Sequence, residues 1–411
     1  MALLSEKNKA MGSLAISKKG TVIYSNAFGY ASINGANKIP ATTQTKYRIG
    51  SITKMFTAVI IFQLIEENKL SLDNTLDKYF PTIPNAPKIT IGHLLGHRSG
   101  IHNFTDDSLY MTYNQTAKTQ KEMIAILAFS PSDFEPDTEA TYSNSNFVLL
   151  GYIAEKITKR SYSDLVKSRI VSKLNLSQTY VGAKTNISNN ESFSYSFIND
   201  WKQESETDMS IPSAAGAILS TPVELIRFIE ALFAGKLLSP ESLEKMKTIK
   251  VGYGLGMFEI PFYNKKAFGH NGGIDGFGSN LSYFPKDSVA FAYCTNGQVY
   301  PMNDILIAVM SIYFNKPYTL PSFNSLGLNS NDLDKYLGVY SSTDIPLKLT
   351  ITKDNATLIA QATGQSSFPL DASEKDIFKF DRAGVVIEFD PAKNELTLKQ
   401  GAGTYLFTKE K

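Results

Sequence analysis

Apolar and polar positions form a few distinct patterns along the chain. The stretch MGSLAISKKGTVIYSNAFGYAS reads as two alternating strands around a Lys-Lys-Gly turn, a hairpin near the N-terminus. After Gly50, Ile52, Met55, Phe56, Val59, Ile60, Phe62 and Leu64 recur at helical spacing and predict an amphipathic helix. Residues 70–200 read mainly as helix and loop, punctuated by FPTIPNAPKI and FSPSDFEPDTEA. STPVELIRFIEALFAGKLLSPESLEKM predicts two helices, the first capped by Ser220 or Thr221, opened by Pro222 and ended by Gly235. YGLGMFEI, KAFGHNGG, GSNLSYFP and VAFAYCTN predict short alternating strands with glycine-rich turns, and a last helix is expected at about 301–314.

Beyond that helix the texture changes. NKPYTLPSFNSLGLNSND is rich in Pro, Ser and Asn and reads as a linker. LKLTITKDNATLIAQAT, VVIEFDPAKNELTLKQ and TYLFTKEK then read as strands joined by tight turns, with almost no helix signal. The expected organisation is an α+β domain over 1–315, a linker over 316–331 and a small all-β domain over 332–411.

Composition narrows the function classes. A chain of 411 residues exceeds one ordinary domain, in keeping with that division. Its 41 basic and 39 acidic residues leave a net charge of +2, which gives no electrostatic argument for nucleic acid or an anionic membrane. Cys294 is the only cysteine, so there is no intrachain disulfide and no cysteine-based metal site; within VAFAYCTN it reads as a small buried hydrophobe. The longest apolar stretch, Ala58 to Ile65, is broken by Gln63 and falls far short of a membrane span. The opening MALLSEKNKAMGS lacks an apolar core adequate for a signal peptide, which leaves a truncated mature form open.

Candidate chemistry starts in the apolar helix, whose first turn carries Ser51 and Lys54. Residues three apart on a helix are neighbours, so the hydroxyl and the amine share a face. A serine needs a base beside it to act as a nucleophile, and a lysine whose pKa is lowered by burial can serve. A helix N-terminus adds free N–H groups able to hold an oxyanion. The spacing S-x-x-K is weak alone, and Ser242–Lys245 repeats it on a charge-rich, solvated helix. Two further signals add weight. Tyr142, Ser143 and Asn144 precede another apolar helix, and His270, Asn271 and Gly272 lie on a strand before a glycine turn. Tyr24-Ser25-Asn26 also spells Y-x-N but sits mid-strand, whereas H-x-G occurs once. His93, His97 and His102 include a pair four apart, yet no H-E-x-x-H pattern supports a metal. The nucleophile elbow G-x-S-x-G is absent, against an α/β-hydrolase.

The order Ser51-x-x-Lys54, Tyr142-Ser143-Asn144, His270-Asn271-Gly272 resembles the class C branch of the serine β-lactamase and penicillin-binding protein superfamily. TKYRIGSITKMFTA, ITIGHLLGHRSGI, YSNSNFVLLGYIAEKITKRSY, GAILSTPVELIRFIEALF and GHNGGIDGFGSNLSYFP are similar to that family's flanking text, over roughly residues 10–315. The tail from 332 is similar to the lipocalin-like barrel appended to many members. The resemblance implies an antiparallel sheet flanked by helices, an adjoining helical region with the site between them, and a C-terminal barrel. It implies Ser51 as acylated nucleophile, with Lys54 and Tyr142 sharing the proton traffic and Tyr142 held partly as phenolate. Asn144 would bind the substrate carbonyl, Asn271 and Gly272 would line the substrate strand, and the N–H groups of Ser51 and Gly273 would form the oxyanion hole. His270 stands where β-lactamases carry lysine, so a partly charged histidine with pH-dependent attraction for a carboxylate is expected there. No metal or cofactor is implied. The expected partner is a small-molecule or peptide substrate, in an exported enzyme. D-residue peptides or amides rank first, then small esters, then β-lactams, with a catalytically silent peptidoglycan-fragment binder as the reading from a different class.

Overall fold

The computed structural model describes residues 1–411 other than 199, 319, 321, 322, 324–326, 402 and 411, and not the side chains of 198 and 382. Contacts divide the chain into two units. The first comprises 1–5, 10–197 and 201–298; the second comprises 6–9, 198–200 and 299–411.

The first unit is built on an eight-stranded sheet. Its six main strands are β1 (Ala10–Lys18), β2 (Thr21–Phe28), β3 (Phe258–Phe262), β4 (Lys265–Ile274), β5 (Phe277–Phe284) and β6 (Val289–Gln298), in the spatial order β3-β4-β5-β6-β1-β2. All five contacts along this path are antiparallel. The expected alternation fails in the central strands: β1 and β6 are buried almost throughout, as strands covered on both faces are. YGLG does not join its expected strand; the sheet resumes only at Phe258.

Helices α1 (Thr53–Glu66), α2 (Asn144–Thr158) and α3 (Pro222–Phe233) position the rest. The apolar stripe of α1 predicts one buried face, yet every residue from Thr53 to Leu64 is buried. Thr57 is tolerated there because its hydroxyl bonds the Ala214 carbonyl and the Tyr162 hydroxyl. Asn68, left-handed at φ 56°, ends α1, and Lys69 N–H returns to the Leu64 carbonyl. Phe56 stacks on Phe228 at 3.8 Å, fastening α1 to α3, and α3 itself packs on β1, β5 and β6. Thr221 caps α3 through the Glu224 N–H and Pro222 opens it.

The second unit holds the helix Met302–Tyr313 and a closed eight-stranded barrel. Its strands are Gly338–Ser341, Lys348–Asp354, Thr357–Ala362, Phe368–Glu374, Ile377–Phe380, Val385–Asp390, Glu395–Gln400 and Gly403–Lys409. Tyr340 pairs with Lys409 to close it. Tyr336, Tyr340, Phe378, Phe389 and Phe407 form its core, in line with an eight-stranded barrel just wide enough to be filled by side chains. Of the expected linker 316–331, positions 319, 321, 322 and 324–326 lie outside the described residues.

Candidate active site

The turn before α1 is a 3-10 segment, Gly50–Ile52. Gly50 adopts φ 48°, and a Cβ there would stand 2.8 Å from the Gly273 nitrogen and oxygen. Only glycine lets the turn lie against β4. The Ser279 hydroxyl on β5 donates to the Ile49 carbonyl at 2.8 Å and pins the turn from below. Gly272 approaches closer still, since a Cβ would meet the Ile49 oxygen at 2.0 Å. These contacts bring Ser51 to the edge of a cavity of about 390 Å³, which Asn144, Ala215 and Gly273 also line.

Four expected site residues meet directly. Lys54 Nζ lies 2.9 Å from Ser51 Oγ, 2.7 Å from Asn144 Oδ1 and 2.8 Å from the Ala215 carbonyl. Tyr142 Oη donates to Ser51 Oγ at 2.7 Å. Lys54 is fully buried, has no carboxylate partner among the described residues, and burial lowers its pKa well below the lysine range. Its ring neighbours are Tyr142 and Phe147, with Nζ 4.9 Å and 5.7 Å from their centroids. Asn144 is held in turn by Thr105 Oγ1, which accepts from Nδ2 at 3.1 Å, and by Asn103 Oδ1, which accepts from the backbone N–H at 2.9 Å.

Tyr142 differs from the expected phenolate. Burial raises its pKa, so the phenol keeps its proton, and the lysine sits over its ring. His270 differs more. It is 2% exposed, packed between Phe258 and Tyr142, with ring centroids at 4.4 Å and 6.3 Å. Its Nδ1–H faces the Asn271 carbonyl, which can only accept, so the ring is the Nδ1–H tautomer. Burial pushes its pKa down to about 3. A partly charged carboxylate receptor is therefore replaced by a neutral ring bracing Tyr142. Asn271 is exposed and accepts from Asn280 Nδ2 at 2.6 Å.

Sequence reasoning missed several participants. Ala215 acts through its backbone carbonyl, which no side-chain motif encodes. His97 is buried with its ring 4.5 Å from that of Tyr142; its Nδ1 accepts the Ser143 N–H at 3.1 Å and its carbonyl accepts the Thr141 N–H at 2.9 Å. It thus fixes the segment carrying Tyr142, and burial holds it neutral. The other two histidines go elsewhere: His93 completes a capping box with Thr90, and His102 pairs with Asp133 and Asp107. In the second S-x-x-K copy, Lys245 pairs with Glu241, and Ser242 accepts from the Ser239 hydroxyl rather than from an amine among the described residues. Cys294 is buried, with its thiol pKa raised by burial.

A serine held by a buried lysine and a tyrosine, beneath an antiparallel sheet edge, defines a class. The Beta-lactamase family model matches residues 3–309, and the chain belongs to that family. Among its relatives, penicillin-binding protein 4* of Bacillus subtilis (strain 168) is 25% identical over 437 residues, covering 97% of this chain and 95% of that protein. Among solved structures, the octameric penicillin-binding protein homologue from Pyrococcus abyssi is 26% identical with a TM-score of 0.68, covering 98% of this chain and 97% of that one. The D-amino acid amidase from Ochrobactrum anthropi SV3, complexed with D-phenylalanine, is 26% identical with a TM-score of 0.67, covering 75% and 95%. The chain is a serine hydrolase of the β-lactamase fold. Among the described residues no helix is long and apolar enough to cross a membrane.

Proposed function

We propose that this hydrolase cleaves amide or peptide bonds of D-residues through an acyl-enzyme on Ser51. The observation that carries the reading is the double contact on Ser51 Oγ, from Lys54 at 2.9 Å and Tyr142 at 2.7 Å. Asn144 Oδ1 and the Ala215 carbonyl take the two hydrogens of a neutral Lys54 amine, which leaves its lone pair for the serine proton. As Oγ bonds the scissile carbon, that proton passes to Lys54. The N–H groups of Ser51 and Gly273 hold the oxyanion. Tyr142 donates its proton to the leaving nitrogen as the C–N bond breaks, and the Lys54 ammonium returns one to Tyr142. Water then releases the acid. Asn144, tied to Thr105, orients both Lys54 and the substrate carbonyl, and His270, Asn271 and Gly272 form the strand along which the substrate lies.

The amidase neighbour supports the D-amide preference; esters rank next. A neutral His270 gives no permanent cation for a β-lactam carboxylate, which ranks β-lactams last. The complete network disfavours a silent binding protein. Peptidoglycan-like substrates place such an enzyme outside the cytoplasm. The test is ammonia release from D- and L-alanine amides beside hydrolysis of a D-alanyl-D-alanine peptide, a short ester and nitrocefin. Turnover of D-amides that is lost in Ser51→Ala supports the reading. Efficient nitrocefin hydrolysis, at ~10⁴ M⁻¹s⁻¹ or above, with peptides, amides and esters ignored, replaces it with a β-lactamase.

A further inference from the structure

His102 meets a carboxylate oxygen at each of its ring nitrogens. Nδ1 lies 2.8 Å from Asp133 Oδ1, and Nε2 lies 3.1 Å from Asp107 Oδ1. A carboxylate only accepts, so both nitrogens must donate, and a ring with two N–H groups is an imidazolium. The bridge joins two segments: Asp107 closes the turn Phe104–Asp106, and Asp133 follows the helix Gln120–Phe129. The other charges on those segments are placed elsewhere. Asp106 is exposed, Glu135 pairs with Lys88, and Asp137 pairs with Arg98 and Lys250. Tyr113 stays neutral beside Asp107, since burial and then that carboxylate push its pKa up to about 12. Burial opposes a charge on His102, but Asp133 and Asp107 outweigh it and hold its pKa above the ordinary histidine value.

The loop that carries this bridge also holds the site. The Ser145 hydroxyl donates to the His102 carbonyl at 2.6 Å and accepts the Phe104 N–H at 3.2 Å. Asn103 Oδ1 accepts the Asn144 N–H at 2.9 Å, and Thr105 Oγ1 accepts from Asn144 Nδ2 at 3.1 Å. Residues 102–105 thus grip the first turn of α2, and Asn144 Oδ1 in turn accepts from Lys54 Nζ at 2.7 Å. Phe104 and Thr105 also line the cavity at Ser51. A neutral His102 keeps one N–H for two carboxylates and turns a lone pair on the other. The bridge is therefore complete below the folded-state pKa of His102 and opens as pH rises through it.

We propose that His102 is a positioning residue whose charged form clamps the loop holding Asn144 and, through it, Lys54, so that the reactivity of Ser51 falls as His102 loses its proton. The inference rests on the acyl-enzyme reading and adds an alkaline limb to it. The other site groups do not produce that limb: deprotonation of Lys54 raises reactivity with pH, and Tyr142 keeps its proton. The experiment measures the rate of Ser51 phosphonylation by a neutral diaryl phosphonate from about pH 6 to 9, beside the ring NMR signals of the four histidines. Burial lowers the pKa of His93, His97 and His270, so one signal, absent in His102→Gln, should titrate above about 6.5. The wild-type rate should fall from its maximum by about two- to tenfold, the range of one net hydrogen bond, with the midpoint of that signal. Asp133→Asn should move the ring midpoint and the rate limb down together, and His102→Gln should remove the limb. A merely structural histidine would not tie the rate to the titration of its ring. The inference is overturned, and the acyl-enzyme reading left standing, by three results: no histidine titrating above about 6.5, a rate that does not fall as the ring titrates, or a limb unmoved in Asp133→Asn. No phosphonylation of Ser51 at any pH overturns both.

Discussion

Replacing Lys54 with methionine distinguishes a neutral buried amine from an ammonium. Burial alone lowers the lysine pKa in the fold, whereas an unfolded lysine titrates near 10.4. Between those two values the unfolded chain holds one proton more than the folded one, so wild-type stability rises with pH. The slope is about 1.4 kcal/mol per pH unit for one proton. Cys294, raised by burial, works in the opposite direction above about 8.5, and buried tyrosines act only above about 10. Both terms are common to the two proteins and cancel in the comparison. The stability gap should therefore move by about 2.7 kcal/mol in favour of wild type from pH 7 to pH 9. The sign of the gap at pH 7 is a separate matter, because methionine leaves Asn144 Oδ1 and the Ala215 carbonyl without a donor, at about 1–3 kcal/mol each. Trp201, the single tryptophan, is buried in the unit that carries the site, so urea unfolding followed by its fluorescence reads the relevant transition. A gap independent of pH over this range would mean an ammonium in the fold and would refute Lys54 as the base.

His97 and His270 are neutral in the fold but charge in the unfolded chain below about pH 6.5, so stability should fall on acidification by up to about 1.4 kcal/mol per pH unit for each. His270→Phe should remove one such contribution, and an unchanged acid slope in urea titrations would contradict a neutral His270. Gly272→Ala should slow acylation by about a hundredfold, because a Cβ 2.0 Å from the Ile49 oxygen displaces the turn that carries Ser51; stopped-flow acylation at the wild-type rate would refute this. We also propose that 316–331 joins two separately folding domains: limited proteolysis should cut there and leave a 1–315 fragment with a cooperative Trp201 transition, and a fragment that unfolds on cleavage would count against it.

Much of the site was legible because its chemistry lies in side chains at short spacing. Ser51 and Lys54 are three apart after a glycine, and Tyr142 and Asn144 are two apart before an apolar helix. What escaped depends on neighbours from distant segments. The neutrality of His270 comes from Phe258 and Tyr142 closing over it. The third contact of Lys54 is the Ala215 backbone carbonyl. In the fold, the β-alternation and tight turns of the tail announced a small all-β domain, and the resemblance implied a barrel, but Phe368–Glu374, with Pro369 and two acidic residues, carried too weak a strand pattern to be seen. The all-round burial of α1 could not be read from its apolar stripe, because Thr53, Lys54 and Thr57 look like a solvent face until their buried partners are known.

The central claim, that Ser51 is the nucleophile, is tested most directly by intact-protein and peptide mass spectrometry after exposure to an aryl phosphonate ester. Ser51 Oγ should displace the aryloxide and add one phosphonyl group to the protein. The adduct should map to the peptide containing Ser51, be absent in Ser51→Ala, and form more slowly in Tyr142→Phe. A stoichiometric adduct in Ser51→Ala, or wild-type turnover that survives complete phosphonylation, would contradict it.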